Sequence, residues 1–129
     1  FASIAGIDIS DIKELSGADA SDIFHGKTFD RNKPLFWEYR FQLLTEPIGK
    51  PPMMAVRDGK YKLLMNPDKS RIELYDIQKD LPEVDNIADQ HPEIVKRLSD
   101  KLMEWSKSLP EGPIHPLAGK NDWNMPEAK

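Results

Sequence analysis

The chain has 129 residues, with 18 Lys and Arg against 22 Asp and Glu, a formal net charge of −4 at pH 7. That length makes one ordinary domain or less, and 39% hydrophobic with 9% aromatic residues suits a folded chain rather than a disordered one. The acidity argues against a nucleic-acid partner, the absence of cysteine excludes disulfides, thiolate metal sites and a cysteine nucleophile, and no apolar run approaches the ~18 residues that spanning a bilayer requires.

Phe1-Ala2-Ser3-Ile4-Ala5-Gly6-Ile7 reads as the last turn of an apolar helix closed by Gly6, without a cap or first turn of its own. The expectation is therefore a piece of a longer protein whose N-terminal partner precedes it. Residues 8–33 are polar and punctuated, and 18–24 are expected to form one short helix stopped by Gly26. Strong β formers follow at 35–41. Period-two alternation puts Leu35, Trp37, Tyr39 and Phe41 on a core face and Glu38 and Arg40 on the other.

After a loop rich in Pro and Gly, Met53 to Met65 reads as a hairpin about Asp58-Gly59, a type I′ dipeptide. A two-residue loop there pairs Arg57 with Lys60, Val56 with Tyr61 and Met54 with Leu63, and places Val56, Tyr61, Met54 and Leu63 on one face. Residues 71–76 alternate as a fourth strand. His91-Pro92-Glu93 opens a long helix, with Pro at its first position and Val95, Leu98, Leu102, Trp105 and Leu109 as a single apolar stripe. Pro110 stops it, and 110–129 is expected to run extended over the surface. The fold class predicted is α+β, a small four-stranded antiparallel meander with one long C-terminal helix packed across it.

Signals for chemistry are sparse. His25, His91 and His115 lie far apart, with no zinc-binding spacing. Asp76, Asp80, Glu83 and Asp85 lack the ligand order of a calcium loop and read as a capped turn leading into a short helix. Neither a nucleophile elbow nor a phosphate-cradling glycine loop is present.

Two stretches carry a family resemblance. One is Ala55-Val56-Arg57-Asp58-Gly59-Lys60-Tyr61-Lys62-Leu63. The other is Glu73-Leu74-Tyr75-Asp76-Ile77, continued by Asp80-Leu81-Pro82-Glu83-Val84-Asp85-Asn86-Ile87-Ala88 and His91-Pro92-Glu93. They resemble the C-terminal subdomain of type I sulfatases, the formylglycine-dependent members of the alkaline-phosphatase superfamily. Residues 1–7 are similar to the end of that family's P-T-x-x-x-[IL]-A-G helix, 17–26 to the segment after it, and 34–40 to its L-F-W-E strand. The resemblance covers 1–109, and the departures (Leu81-Pro82 and Asp85-Asn86) touch no chemistry.

It implies three parts: 1–33 as the end of a main-domain helix and its connection, 34–109 as the C-terminal subdomain, and 110–129 as a tail. It further implies a sulfuric ester hydrolase acting on a sulfated polysaccharide or glycan, periplasmic or secreted. This chain would supply support and one wall of the substrate cleft, and its partners would be the N-terminal catalytic domain and the sulfated carbohydrate. The formylglycine, made in a C/S-x-[PA]-x-R motif, and the calcium ligands would lie upstream. Ser108-Leu109-Pro110-Glu111-Gly112 comes nearest to that motif but lacks its Arg. No catalytic or metal-binding residue is thus expected here, and the candidate substrate contacts are Glu38, Arg40, His25, Arg57 and His115. Two other readings compete: a freestanding α+β interaction module, and a sugar-binding module built on Trp37, Trp105 or Trp123.

Overall fold

The computed structural model describes residues 1–12, 17–29, 31–40, 51–114 and 118–119. They divide between two compact units, Phe1–Lys33 and Pro34–Lys129.

In the first unit, each of two glycines ends a turn by the same device. Gly6 has φ +66° and Gly26 φ +72°. Ile7 and Gly6 donate to the carbonyls of Ala2 and Ser3, and Lys27 and Gly26 to those of Asp22 and Ile23. This is the Schellman arrangement, in which a left-handed residue lets two N–H groups reach back to carbonyls of the final turn. The predicted helix over 18–24 is instead a 3-10 turn, Ser21–His25. Asp19 explains the later start: its carboxylate accepts from the Ser21 amide and the Ser3 hydroxyl, taking the turn-entry role. Those bonds, Ser3 first, hold the Asp19 carboxyl down at about 2.

The second unit is the predicted meander. Strands β1 (Leu35–Glu38), β2 (Met54–Asp58), β3 (Tyr61–Met65) and β4 (Glu73–Asp76) lie in that order, each antiparallel to the next. Helix α1 (Pro92–Lys107) crosses one face. Its Leu98 and Leu102 are fully buried against Met54, Val56, Leu63, Met65 and Leu74, with Val95 and Trp105 partly buried beside them. The stripe read from the sequence is the one the fold buries. Leu109 lies beyond the helix, whose C-cap is Ser108.

Three expectations are corrected. The hairpin turns on Gly59-Lys60 rather than Asp58-Gly59, so Val56 pairs with Leu63 and Met54 with Met65, two residues on from the predicted partners. An even slip keeps every side chain on its predicted face. Gly59 has φ +61° and Lys60 is not left-handed, which meets the type II′ requirement and not that of I′. Asp58 is drawn out of the turn because its carboxylate receives both Arg97 and Lys101 of α1, each at 2.7 Å.

The second correction inverts β1. Phe36 pairs with Val56, faces α1 and stacks on Trp105 with ring centroids 5.1 Å apart. Trp37 is 47% exposed and Tyr39 38%, on the opposite face, while Glu38 shares the helix side with Met54, its partner. Phe41 lies outside the described residues. The third concerns the start of β4. Arg71 is left-handed, φ +53°, so β4 begins at Glu73. Residues 111–114 are exposed, but Gly119 is buried, and its carbonyl accepts from Asn66 Nδ2 at 3.1 Å and Arg71 Nη1 at 3.2 Å.

Beyond β4, Asn86 covers the sheet edge. Its Oδ1 accepts from the Leu74 and Ala88 amides, its Nδ2 donates to Ile72 O, and the Ile87 amide bonds Leu74 O. The acidic stretch behaves as the capped turn expected of it. Asp80 accepts the Val84 and Asp85 amides, and a 3-10 turn follows at Ala88–Gln90. Among the described residues no helix is long and apolar enough to cross a membrane.

Candidate functional site

Among the described residues, no helix or strand lies across the sheet face opposite α1. Its floor is Ala55, Leu64 and Tyr75, with Ile77 packed against them. Over this floor lies a cavity of about 480 Å³, bordered by Trp37, Tyr39, Arg57, Lys62, Leu81 and Glu83. The size falls within the range of small-ligand sites, and the surroundings are mainly apolar with a few polar groups.

The polar groups have a definite order. Arg57 and Lys62 are direct cross-strand partners, two cations side by side on one face. Such a pair opposes folding unless a counter-charge is supplied. Glu83 supplies one, with both its carboxylate oxygens 2.7 Å from Lys62 Nζ. To reach there, Glu83 adopts a left-handed backbone, φ +58°, and its amide donates to Asp80 O. An L residue held there carries strain that the Asp80 bonds offset. Arg57 differs from Lys62. It is exposed, its Nε donates to Gly59 O at 3.3 Å, and it pairs with no carboxylate among the described residues. Tyr75, deep on the floor, donates its hydroxyl to Glu73 Oε2; burial above all, then the Glu73 charge, pushes its pKa up to about 12.

Of the sequence-derived candidates, Glu38 and Arg57 line this one cavity, while Arg40 and His25 do not. Glu38 and Arg40 pair with one another at 2.7 Å, and Arg40 also donates to Pro110 O at 3.4 Å, so this couple ties β1 to the chain leaving α1. Their carboxylate and guanidinium are half-buried or better on the helix side. Glu38 and Arg57 both border the cavity, and of the two it is Arg57 whose charge is unmatched among the described residues. His25 ends the 3-10 turn of the first unit and is exposed. His115 and Trp123 lie outside the described residues, and Trp105 is core, stacked on Phe36. Lys62 and Glu83 were missed. Only Glu83's place in the acidic stretch hinted at them, and nothing local signals a pair 21 residues apart.

Among the described residues no group of three or more His, Asp or Glu side chains is arranged to hold a metal ion. The calcium that the resemblance implies therefore finds no ligand group among the described residues. No protein-family model matches the chain, and no curated protein is similar to it.

Proposed function

We propose that this chain is the non-catalytic sheet-and-helix lobe of a formylglycine-dependent sulfatase of the alkaline-phosphatase type, hydrolysing sulfate esters of a glycan. The observation that carries the reading is the use made of the polar residues within the matched motifs. Asp58 binds two cations of α1, Asp80 caps its turn, and Asn86 seals the β4 edge. The motifs that resemble the family thus hold turns and edges, as a supporting lobe requires. Sulfuryl transfer needs a cluster of cations around the developing charge, whereas Lys60, Lys62, Arg97 and Lys101 are each matched by a carboxylate of the same chain. Nucleophile, calcium and catalytic cations belong in this reading to polypeptide preceding Phe1, and the sheet face opposite α1 forms one wall of the cleft.

The test is the coding sequence upstream of Phe1 together with an assay. In-frame recovery of a C/S-x-[PA]-x-R motif, and sulfate release by the longer protein but not by these 129 residues, is the expected result. An upstream frame without that motif, or sulfate release by the 129-residue chain alone, overturns it.

A further inference from the structure

The turn between β3 and β4 receives Ala118 and Gly119 from beyond the helix, and it is shaped to do so. The turn holds its form by bonds of its own. The Asn66 amide donates to Ser70 O, the Lys69 amide to Asn66 O, and Asp68 Oδ1 accepts both the amide and the hydroxyl of Ser70. Lys69 and Arg71 are left-handed, φ +62° and +53°, a costly backbone for residues with side chains. In this arrangement Asn66 Nδ2 and Arg71 Nη1 converge on one acceptor, Gly119 O, at 3.1 and 3.2 Å.

The socket reads backbone and small size. A Cβ at Gly119 would stand 2.7 Å from Met53 Cγ and meet Asn66 Oδ1, and φ +69° itself favours glycine. Ala118 packs against the edge of the core. These contacts lie outside every strand ladder and outside the apolar stripe of α1, so sheet and helix keep their own bonds without them. Asn66 nevertheless joins the two. Its Oδ1 accepts from the Met53 amide at 3.1 Å, while its Nδ2 serves Ser70 Oγ and Gly119 O. Met53 O in turn accepts from the Tyr39 amide at 2.7 Å, where β1 and β2 part.

The geometry points to a latch: Ala118–Gly119 is a detachable segment, seated in the β3–β4 turn by the Gly119 carbonyl, that opens while sheet and helix stay folded and loosens the Met53 end of β2 as it does so. Two hydrogen bonds to one carbonyl form a small cooperative unit, the kind that opens locally before the whole fold does. The latch does not depend on the sulfatase reading, and a missing upstream motif leaves it standing.

Two measurements on the full 129-residue chain, labelled with ¹⁵N, test it. In native-state hydrogen exchange the Met53 amide is expected to exchange at least tenfold faster than the Val56 and Leu63 amides, at a rate nearly independent of low urea concentrations. Exchange of Met53 with the rate and urea dependence of those core amides means one cooperative unit and overturns the latch. The second measurement uses Asn66→Asp, which keeps an oxygen for the Met53 amide but replaces the donor to Gly119 O with an acceptor. Its heteronuclear NOE at Ala118 and Gly119 is expected to fall to that of an unstructured chain, while the amide shifts of Val56, Leu63 and Leu98 stay in place. Ala118 and Gly119 as ordered in the variant as in the wild type overturns the role of the Gly119 carbonyl. Should Asn66→Asp fail to fold, the exchange rates of the wild type decide.

Discussion

Replacing Asp58 with Ala removes the carboxylate that Arg97 and Lys101 share at 2.7 Å each. The Asp58 side chain is 23% exposed, against 48% and 42% for its two partners, so each pair lies toward the surface end of the scale. Exposed pairs contribute about 0.2–1 kcal/mol apiece. The loss also leaves Arg97 and Lys101 as like charges one turn apart on α1, which costs a few tenths of a kcal/mol more. The expected destabilisation is therefore about 1–2 kcal/mol, or roughly 5–12 °C in Tm for a unit of this size.

Circular dichroism melts of wild type, Asp58→Ala, Lys101→Ala and the double variant give the coupling directly. The pH dependence supplies a second check. The Lys101 hydrogen bond, foremost, holds the Asp58 carboxyl below its ordinary value. A depressed carboxylate stabilises the fold fully above its unfolded pKa, about 3.9, and that contribution is lost as pH falls through the lower folded value. The gap between wild type and Asp58→Asn should be open at pH 7 and narrow as the pH falls below about 3.9 toward about 2. Equal melting of the two proteins at pH 7, or a gap of the same size at both pH values, refutes the assignment of Asp58 as the tie between hairpin and helix.

Other perturbations have equally definite outcomes. Gly119→Ala places a Cβ 2.7 Å from Met53 Cγ and against the Asn66 amide, on a backbone at φ +69°. Because Asn66 bonds Met53, Ser70 and Gly119, it cannot swing away cheaply, and a loss of about 3 kcal/mol in urea unfolding is expected. Leu102→Ala should cost about 2–5 kcal/mol by the same assay, whereas Trp37→Ala should cost less than about 1, since one side chain is fully buried and the other half-exposed. Asn86→Ala removes three bonds at the β4 edge and should cost about 1–3 kcal/mol, with faster hydrogen exchange at the Leu74 amide.

The helix and the meander were readable because their signals repeat. Val95, Leu98, Leu102 and Trp105 mark one stripe over several turns, and tertiary packing uses the same stripe. The strand at 35–41 misled because it is apolar at both parities. Trp37 and Tyr39 outweigh Phe36 in a count of alternation, yet a stack on Trp105, 69 positions away, decides which side is core. The hairpin slipped for a similar reason. Asp58-Gly59 is the better turn dipeptide locally, but Arg97 and Lys101 claim the Asp58 carboxylate from 39 and 43 residues along the chain. Lys62–Glu83, and the backbone geometry that brings Glu83 there, are likewise products of the assembled sheet. Of the residues around the cavity, Trp37, Glu38 and Arg57 were already singled out in the sequence, as types and as positions on strands.

The seal that Asn86 and Ile87 place over β4 makes the sheet asymmetric in its risk of misassembly. The amide and carbonyl of Leu74 are already taken by the chain's own loop, so a foreign strand has little to grip at that border. Self-association by strand addition is thereby steered to the opposite border, beside Trp37. There an aggregation-blocking charge or proline would have the greatest protective effect on the protein's handling in solution.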